Sequence, residues 1–340
     1  MIKLVFFLLL SVFTAVCCFG QTVSNVDAYQ EGKNIIITYD IDKAGSVGDV
    51  YCSTDGGRTW VAPLKQVTGD VNKQVPAGRH RIVWDVLSER EKLAGANICF
   101  KVEANSGKFT VNGVSFEMVR VEGGTFRMGA TAEQEDEANS DEMPVHSVTL
   151  SSYYIGKTEV TQALWQAVMG SNPSRSRGAD LPVENVSWDD CQEFIRKLNA
   201  LTGQHFRLPT EAEWEFACRG GNNSRGYKYS GSNNLGSVAW YDGNSGNRTH
   251  SGNRTHSVAT KSSNELGIYD MSGNVWEWCA DWYGDYSSGA QTNPRGPLSG
   301  LLRVIRGGCW DYGVGGCRSS CRGSNNLAGR YISVGLRLAL

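Results

Sequence analysis

Three cysteines, Cys309, Cys317 and Cys321, fall within thirteen residues of the segment RGGCWDYGVGGCRSSCRG. Cysteines grouped in this way could hold a metal and do chemistry there. In an oxidising compartment the same residues could instead pair and staple a loop. A second group with chemical potential is DMSGNVWEW (270–278), where two carboxylates flank a glycine-containing turn. Hard cations take six to eight oxygens from carboxylates, amides and backbone carbonyls, and such a turn can supply several. His250 and His256 lie six apart in the tandem hexapeptide SGNRTH-SGNRTH (245–256), with no helix to align them. That spacing reads as a duplicated surface loop rather than a metal site. Its two Asn-Arg-Thr sequons, at Asn247 and Asn253, matter only in a host that glycosylates.

The compartment decides between metal and staple. The chain opens MIKLVFFLLLSVFTAVCCFGQ: Lys3, then an apolar run from Leu4 to Val16, then a small residue at Gly20. This reads as a secretory signal peptide, 1–20, cleaved after Gly20. The run is too short for a transmembrane span. Cys17 and Cys18 admit a lipoprotein reading, but Val16 is bulky where a lipid-attachment motif needs a small residue. The expected location is secreted or periplasmic, with outer-membrane association left open. Ten cysteines less Cys17 and Cys18 leave eight. An even number in that compartment predicts disulfides. A net charge of −2 without a Lys/Arg block argues against nucleic acid and anionic membrane as partners.

The elements that must position these residues form two domains. Over 21–105, NIIITYDI (34–41), VYCSTD (50–55), HRIVWDV (80–86) and NICFKVEA (97–104) read as strands of a small all-β sandwich of immunoglobulin or fibronectin type. Cys52 and Cys99 are its expected disulfide. Residues 106–114 read as a linker and 115–340 as the second domain. FEMVRVEGGTFRMGA (116–130) predicts a hairpin turning at Glu122-Gly123-Gly124. Three short helices carry start signals: Thr161 before QALWQAVM, Ser187 with Asp190 before WDDCQEFIRKLNAL, and Thr210 with Glu213 before EAEWEFAC. The acidic run 133–142 reads as a solvated loop. Beyond Gly221 the chain is rich in Gly, Asn, Ser, Trp and Tyr, so its long irregular segments need fixing by packing, disulfides or ions.

The ordered phrases GGTFRMGA, HSVTLSSYYIGKTEVTQALW, LPVENVSWDDCQEF, FRLPTEAEWEFACRGG, ELGIYDMSGNVWEWCADWYG, RVIRGGCW and VGLRLAL resemble the formylglycine-generating enzyme (sulfatase-modifying factor) family over about 115–340. The resemblance implies an α+β fold, irregular and C-type-lectin-like, preceded here by the all-β sandwich. It implies calcium in the 270–278 loop, held by Asp270, Glu277 and the carbonyls of Met271, Gly273 and Val275. The bland alternative is a hydrogen-bonded turn with Asn274 on the backbone and Trp276 and Trp278 in the core. A second calcium loop of the family falls near 238–245, where only Asp242 and Asn244 stand out.

The family's oxidases hold copper(I) between two cysteines five apart, after a Gly-Gly-Ser motif. Anchored on Gly307-Gly308, the first cysteine falls at Tyr312; anchored on Arg322, the pair falls at Cys309 and Val314. Neither register gives two thiols. Cys309 replaces the serine, and Ser333 stands where the family has asparagine. Trp276 and Arg322 match pocket positions. The family's iron-dependent members carry a histidine-rich partner domain, and the five histidines here are scattered. The resemblance also suggests a bridge from Cys218 to Cys317 or Cys321. Cys279 and Cys309 are candidates for another, and Cys191 is unassigned.

The reading is therefore a secreted, calcium-stabilised, disulfide-stapled binding or scaffold protein. Its groove near Trp276, Trp310, Arg322 and Ser333 would take a peptide, protein or glycan. The alternative is a copper-dependent oxidase that converts a peptidyl cysteine to formylglycine in sulfatase maturation, using Cys309, Cys317 or Cys321.

Overall fold

A computed structural model describes residues 16–18, 21–43, 47–60, 63–71, 75–90, 93–95, 97–104, 107–134, 137–246 and 254–340. The leader expectation falls on 1–20, of which only Val16–Cys18 is described, as a short strand. His250 and both sequon asparagines lie outside the described residues. The chain forms two compact units, 1–106 and 107–340.

In the first unit, β-branched and aromatic residues alternate inward. Gln21–Glu31, Asn34–Ile41, Gly78–Trp84 and Val67–Gly69 pair antiparallel in that order, and Val47–Ser53 pairs with Cys99–Ala104. Ile35, Ile37, Tyr39, Ile82 and Trp84 pack with Val50, Phe100 and Val102 in one core. The expected Cys52–Cys99 bridge is absent, and both are free thiols. The register explains this. Cys52 stands opposite Phe100 and Cys99 opposite Ser53, so the two side chains leave opposite faces of the ribbon. Cys52 enters the core, while a Cβ on Gly57 would lie 3.7 Å from Cys99 Sγ.

The second unit opens with a strand where a linker was expected. Lys108–Val111 pairs with Val114–Val121 through Asn112 (φ 48°) and Gly113 (φ 83°). An Asn-Gly pair favours this left-handed two-residue turn, a signal the composition-based linker reading passed over. The predicted hairpin over 116–130 is also corrected. Val114–Val121 pairs with Tyr153–Gly156, whereas Gly124–Met128 pairs with His146–Leu150 in a different sheet. The chain changes sheets at Gly123, whose added Cβ would sit 2.5 Å from the Leu150 carbonyl oxygen.

The three helices follow their caps. Thr161 Oγ1 accepts from Leu164 N at the start of Gln162–Met169, and Gly170 closes that helix at φ 78°. Ser187–Asp190 and Thr210–Glu213 form reciprocal capping boxes on Trp188–Thr202 and Glu211–Cys218. Trp165 stacks on Phe194 at 4.8 Å, fastening the first two helices together. A four-stranded sheet carries the remaining chemistry: Arg322–Asn326, Leu302–Arg306, Trp276–Trp282 and, parallel to the last, Val334–Leu336.

Four buried arginines pin this sheet to its surroundings. Arg306 meets Glu215 at 2.5 Å, Arg322 meets Glu211 at 2.7 Å, Arg337 meets Glu277 at 2.7 Å and Arg318 meets Glu142 at 2.5 Å. The acidic run is thus anchored at two points rather than solvated throughout. Gln134 and Glu142 are fully buried, because Arg318 needs a countercharge inside the protein. Its guanidinium engages both Glu142 oxygens in the two-pronged geometry that arginine favours.

Candidate functional site

The four-stranded sheet floors an open cleft of about 760 Å³, and the 309–321 loop forms one wall. Trp276, Ile305, Gly323 and Val334 belong to the floor. Gly323 lies opposite Ile305, and a Cβ there would meet Ile305 Cγ1 at 2.9 Å and the Trp276 ring at 3.4 Å. Glycine therefore leaves room for the indole. Tyr312 meets Trp276 edge to face at 5.4 Å. Tyr312 and Tyr331 are both about half exposed at the rim, with Asp311 and Glu137 beside them. The cleft thus offers aromatic faces with an adjacent carboxylate.

Of the residues expected from sequence, Trp276, Arg322 and Ser333 line this cleft. Trp310 does not. Its backbone N–H donates to the Asn274 carbonyl, its indole N–H points to the Ile332 carbonyl, and its ring packs against the core. Tyr312, two residues on, takes the exposed place. Sequence reasoning missed Tyr312, Tyr331 and Asp311. Asp311 and Tyr312 follow the turn at Gly307 and Gly308 (φ 102° and 73°) after Cys309 and Trp310, which turn inward.

All eight described cysteines outside the leader are free and buried, which corrects the disulfides expected for Cys218, Cys279, Cys309, Cys317 and Cys321. Each sulfur has a place in the packing. Cys218 Sγ approaches the Met271 carbonyl at 3.6 Å, and Cys279 is fully enclosed beneath the sheet. Cys317 sits in a separate cluster with Tyr229, Leu235 and Val238. Cys191 is buried in the helical core.

Cys309 and Cys321 do line the cleft. Cys309 Sγ donates to Asp311 Oδ1 at 2.9 Å. Burial, reinforced by that carboxylate, pushes the Cys309 thiol far above its ordinary range. Burial likewise pushes Cys317 up to about 12 and Cys321 up to about 11. Copper(I) ligation and nucleophilic attack both require thiolate. Burial disfavours the thiolate at these positions, and Cys309 donates to Asp311.

The 270–278 loop presents a different balance. Asp270, Gly273 and Asn274 all have left-handed backbones, at φ 58°, 80° and 60°. A Cβ on Gly273 would lie 2.2 Å from the Trp240 carbonyl oxygen. Asp270 Oδ2 accepts from Ala259 N at 2.7 Å, while Oδ1 is buried with no hydrogen-bond partner among the described residues. Glu159, unmarked in the sequence reading, accepts from Asn274 Nδ2 and from Val275 N. Glu277 instead faces Arg337 and Trp214 Nε1, which occupy both of its oxygens. Burial pushes Asp270 up to about 6. Burial and then the Asp270 and Glu277 charges drive Glu159 well above the ordinary carboxylate range. Three buried carboxyl groups share one guanidinium, burial drives Glu159 toward its neutral form, and Asp270 Oδ1 is left orphaned. That donor chemistry fits a hard cation at Asp270, with Glu159 nearby and Glu277 committed elsewhere. In the second loop, Asn244 bonds Tyr241 N and the Ala239 carbonyl and acts as a turn residue.

Residues 104–340 match the sulfatase-modifying factor enzyme 1-like domain. The chain belongs to that family. Among relatives of this sulfatase-modifying factor domain protein, the chaperone protein LppX of Paenibacillus barcinonensis is 34% identical over 299 residues, 75% of this chain and 98% of the relative. The formylglycine-generating enzyme of Streptomyces coelicolor is 30% identical over 284 residues, 65% of this chain and 88% of the relative. Among solved structures, Treponema denticola variable protein 1 superposes with a TM-score of 0.61 at 34% identity, covering 68% of this chain and 97% of that one.

Proposed function

We infer that the sulfatase-modifying factor domain of this protein is a polypeptide-binding module rather than an oxidase. The observation that carries this is the cleft itself. Trp276, Tyr312 and Tyr331 line the cleft beside Asp311, and its two thiols are buried, with burial disfavouring their thiolate forms. Aromatic side chains bring large contact area at small entropic loss, and a neighbouring carboxylate selects a Lys or Arg on the ligand. The ligand class is a polypeptide segment that pairs an apolar or aromatic side chain with a basic one. The chaperone name of the Paenibacillus relative supports a polypeptide over a glycan. Calcium at Asp270 stiffens the loop that leads into Trp276. The protein acts outside the cytoplasm, where its N-terminal sandwich aids attachment or positioning.

The test is an array of overlapping peptides probed with the full chain. Retained peptides should be enriched for an aromatic next to a Lys or Arg. Tyr312→Ala and Tyr331→Ala should each weaken the best peptide by about tenfold or more, the scale of an interface anchor. Retention that ignores both substitutions, or no retention at all, sinks the binding reading. The oxidase reading keeps one observation in its favour, that Cys309 and Cys321 share the cleft. Copper-dependent conversion of a cysteinyl peptide to the aldehyde would establish it instead.

A further inference from the structure

A second, smaller cavity of about 250 Å³ lies between the start of the Glu211–Cys218 helix, the start of the His146–Leu150 strand and the loop around Gly296. It is distinct from the 270–278 loop and shares only Arg322 with the cleft. Most charged groups around it are satisfied. Glu211 accepts from Arg322 and from the Tyr286 hydroxyl, and Arg322 further donates to the Asp141 and Gly284 carbonyls. Two polar groups each keep one atom free of a protein partner among the described residues. His146, only 3% exposed, pairs Nδ1 with the Pro144 carbonyl at 3.0 Å, and its Nε2 has no partner among the described residues. Asp281, only 4% exposed, accepts from Glu211 N at Oδ2, and its Oδ1 likewise has no partner among the described residues. Both residues line the cavity, together with the apolar Met128, Ala212 and Pro297. Gly296, at φ 67°, keeps the approach to Asp281 open; a Cβ there would lie 3.3 Å from Oδ1.

We propose that this cavity binds one small neutral polyhydroxyl ring, a pyranose monosaccharide, with one hydroxyl donating to His146 Nε2 and another accepting from the Asp281 carboxyl. The donor and acceptor assignment follows from the fixed bonds. Nδ1–H given to Pro144 leaves Nε2 as an acceptor. Burial, then the Glu211 charge, pushes Asp281 up to about 8, so it is a carboxylic acid at neutral pH. The Glu211 N–H occupies Oδ2, which puts the acidic proton on Oδ1, toward the cavity. A group that both donates and accepts, as neighbouring hydroxyls do, satisfies this pair without any change of charge. Met128, Ala212 and Pro297 offer a surface for the C–H face of the ring. An anion would meet Glu211 and Asp285 as well as the exposed Arg295, with Arg322 already neutralised by Glu211, and an amine would have to displace the Asp281 proton. Among the described residues no group of three His, Cys, Asp or Glu side chains is placed to hold a metal. The volume falls just below the roughly 300–1,000 Å³ of drug-sized pockets, which suits one ring and excludes a chain of them.

The test is saturation-transfer NMR on the full chain with D-glucose, D-galactose and N-acetyl-D-glucosamine. At least one pyranose should receive saturation. His146→Phe should weaken it at least tenfold, as should Pro297→Trp, which plugs the mouth from an exposed position. Asp281→Asn should bind within threefold of the parent, since the carboxamide keeps both the acceptor for Glu211 N–H and a donor toward the cavity. Tyr331→Ala, in the polypeptide cleft, should change nothing, which separates this site from that reading. Circular dichroism confirms that each variant folds. The proposal is overturned if no pyranose is saturated, if binding survives both His146→Phe and Pro297→Trp, or if folded Asp281→Asn loses it. It is also overturned if Tyr331→Ala removes the signal, or if propionamide binds and the sugars do not.

Discussion

Replacing Glu142 with alanine removes the countercharge of a buried arginine that supports the cleft wall. Glu142 Oε1 accepts from Arg318 at 2.5 Å and from Asn139 N and Nδ2; Oε2 accepts from Arg318 at 2.7 Å and from Ser320 Oγ at 2.5 Å. Both side chains are at most 1% exposed. In the variant, Arg318 keeps, among the described residues, only Ser320 Oγ and a half-exposed Glu137 at 3.9 Å. Stranding a buried charge in this way costs about 3–5 kcal/mol. At about 2–4 °C per kcal/mol for a unit of this size, the melting temperature should fall by roughly 6–20 °C. The pair as a whole is worth far less, because desolvation offsets most of its attraction. Glu142→Leu with Arg318→Met should therefore recover all but about 1–2 kcal/mol. Urea denaturation of the parent, the single variant and the double variant measures each term. A single-variant loss below about 1 kcal/mol, or a double variant no better than the single, refutes the reasoning. The pH dependence has a definite sign. Burial alone would raise the Glu142 carboxyl, but the Arg318 and Ser320 hydrogen bonds outweigh it and hold the group below its usual range. Its contribution is thus present above the unfolded carboxylate value of about 4.3 and is lost as pH falls through the folded value.

Asp281 should show the opposite sign. With its folded value raised to about 8 and an unfolded value of about 3.9, the folded state retains a proton that the unfolded chain releases. Its contribution to stability is full below pH 4 and declines up to about pH 8, so Asp281→Asn should flatten the stability–pH curve over that window; an unchanged slope contradicts the assignment. Added calcium should raise the melting temperature, by about 2.7 kcal/mol of stability at a hundredfold excess over Kd, and Asp270→Ala should abolish the shift. A calcium effect that persists in Asp270→Ala would remove the ion from this loop. Deleting one SGNRTH copy leaves an identical histidine to stack on Trp240, where His256 now lies at 3.7 Å with Nε2 on the Ser245 carbonyl. Stability should change by no more than about 1 kcal/mol, and a larger loss would show that the second copy carries structure of its own.

Much of the second unit could be read from sequence because its signals are local. Thr161, Ser187 with Asp190, and Thr210 with Glu213 act within one helical turn, so spacing alone reveals them. What failed depended on distant partners. Glu142 looked solvent-facing because Arg318 lies 176 residues away in sequence. The hairpin over 116–130 was plausible locally, but the Leu150–Ser152 backbone at Gly123 splits it between two sheets. Cysteine parity predicted bridges, whereas side-chain direction separates Cys52 from Cys99 and the other described cysteines outside the leader are buried free thiols. At the site, Trp276 and Arg322 could be read through family phrases. Tyr312, Tyr331 and Glu159 could not, since their roles follow from turns and from burial beside Trp276 and Asp270.

The most direct test of the central claim is to incubate the full chain with copper(I), oxygen and the cysteinyl and cysteine-free peptides of the array. Mass spectrometry then reads both what is retained and what is altered. The account predicts retention by aromatic and basic composition whether or not cysteine is present, with every recovered mass unchanged. Retention confined to cysteinyl peptides, with aldehyde in place of thiol, would contradict it and make the cleft a catalytic centre.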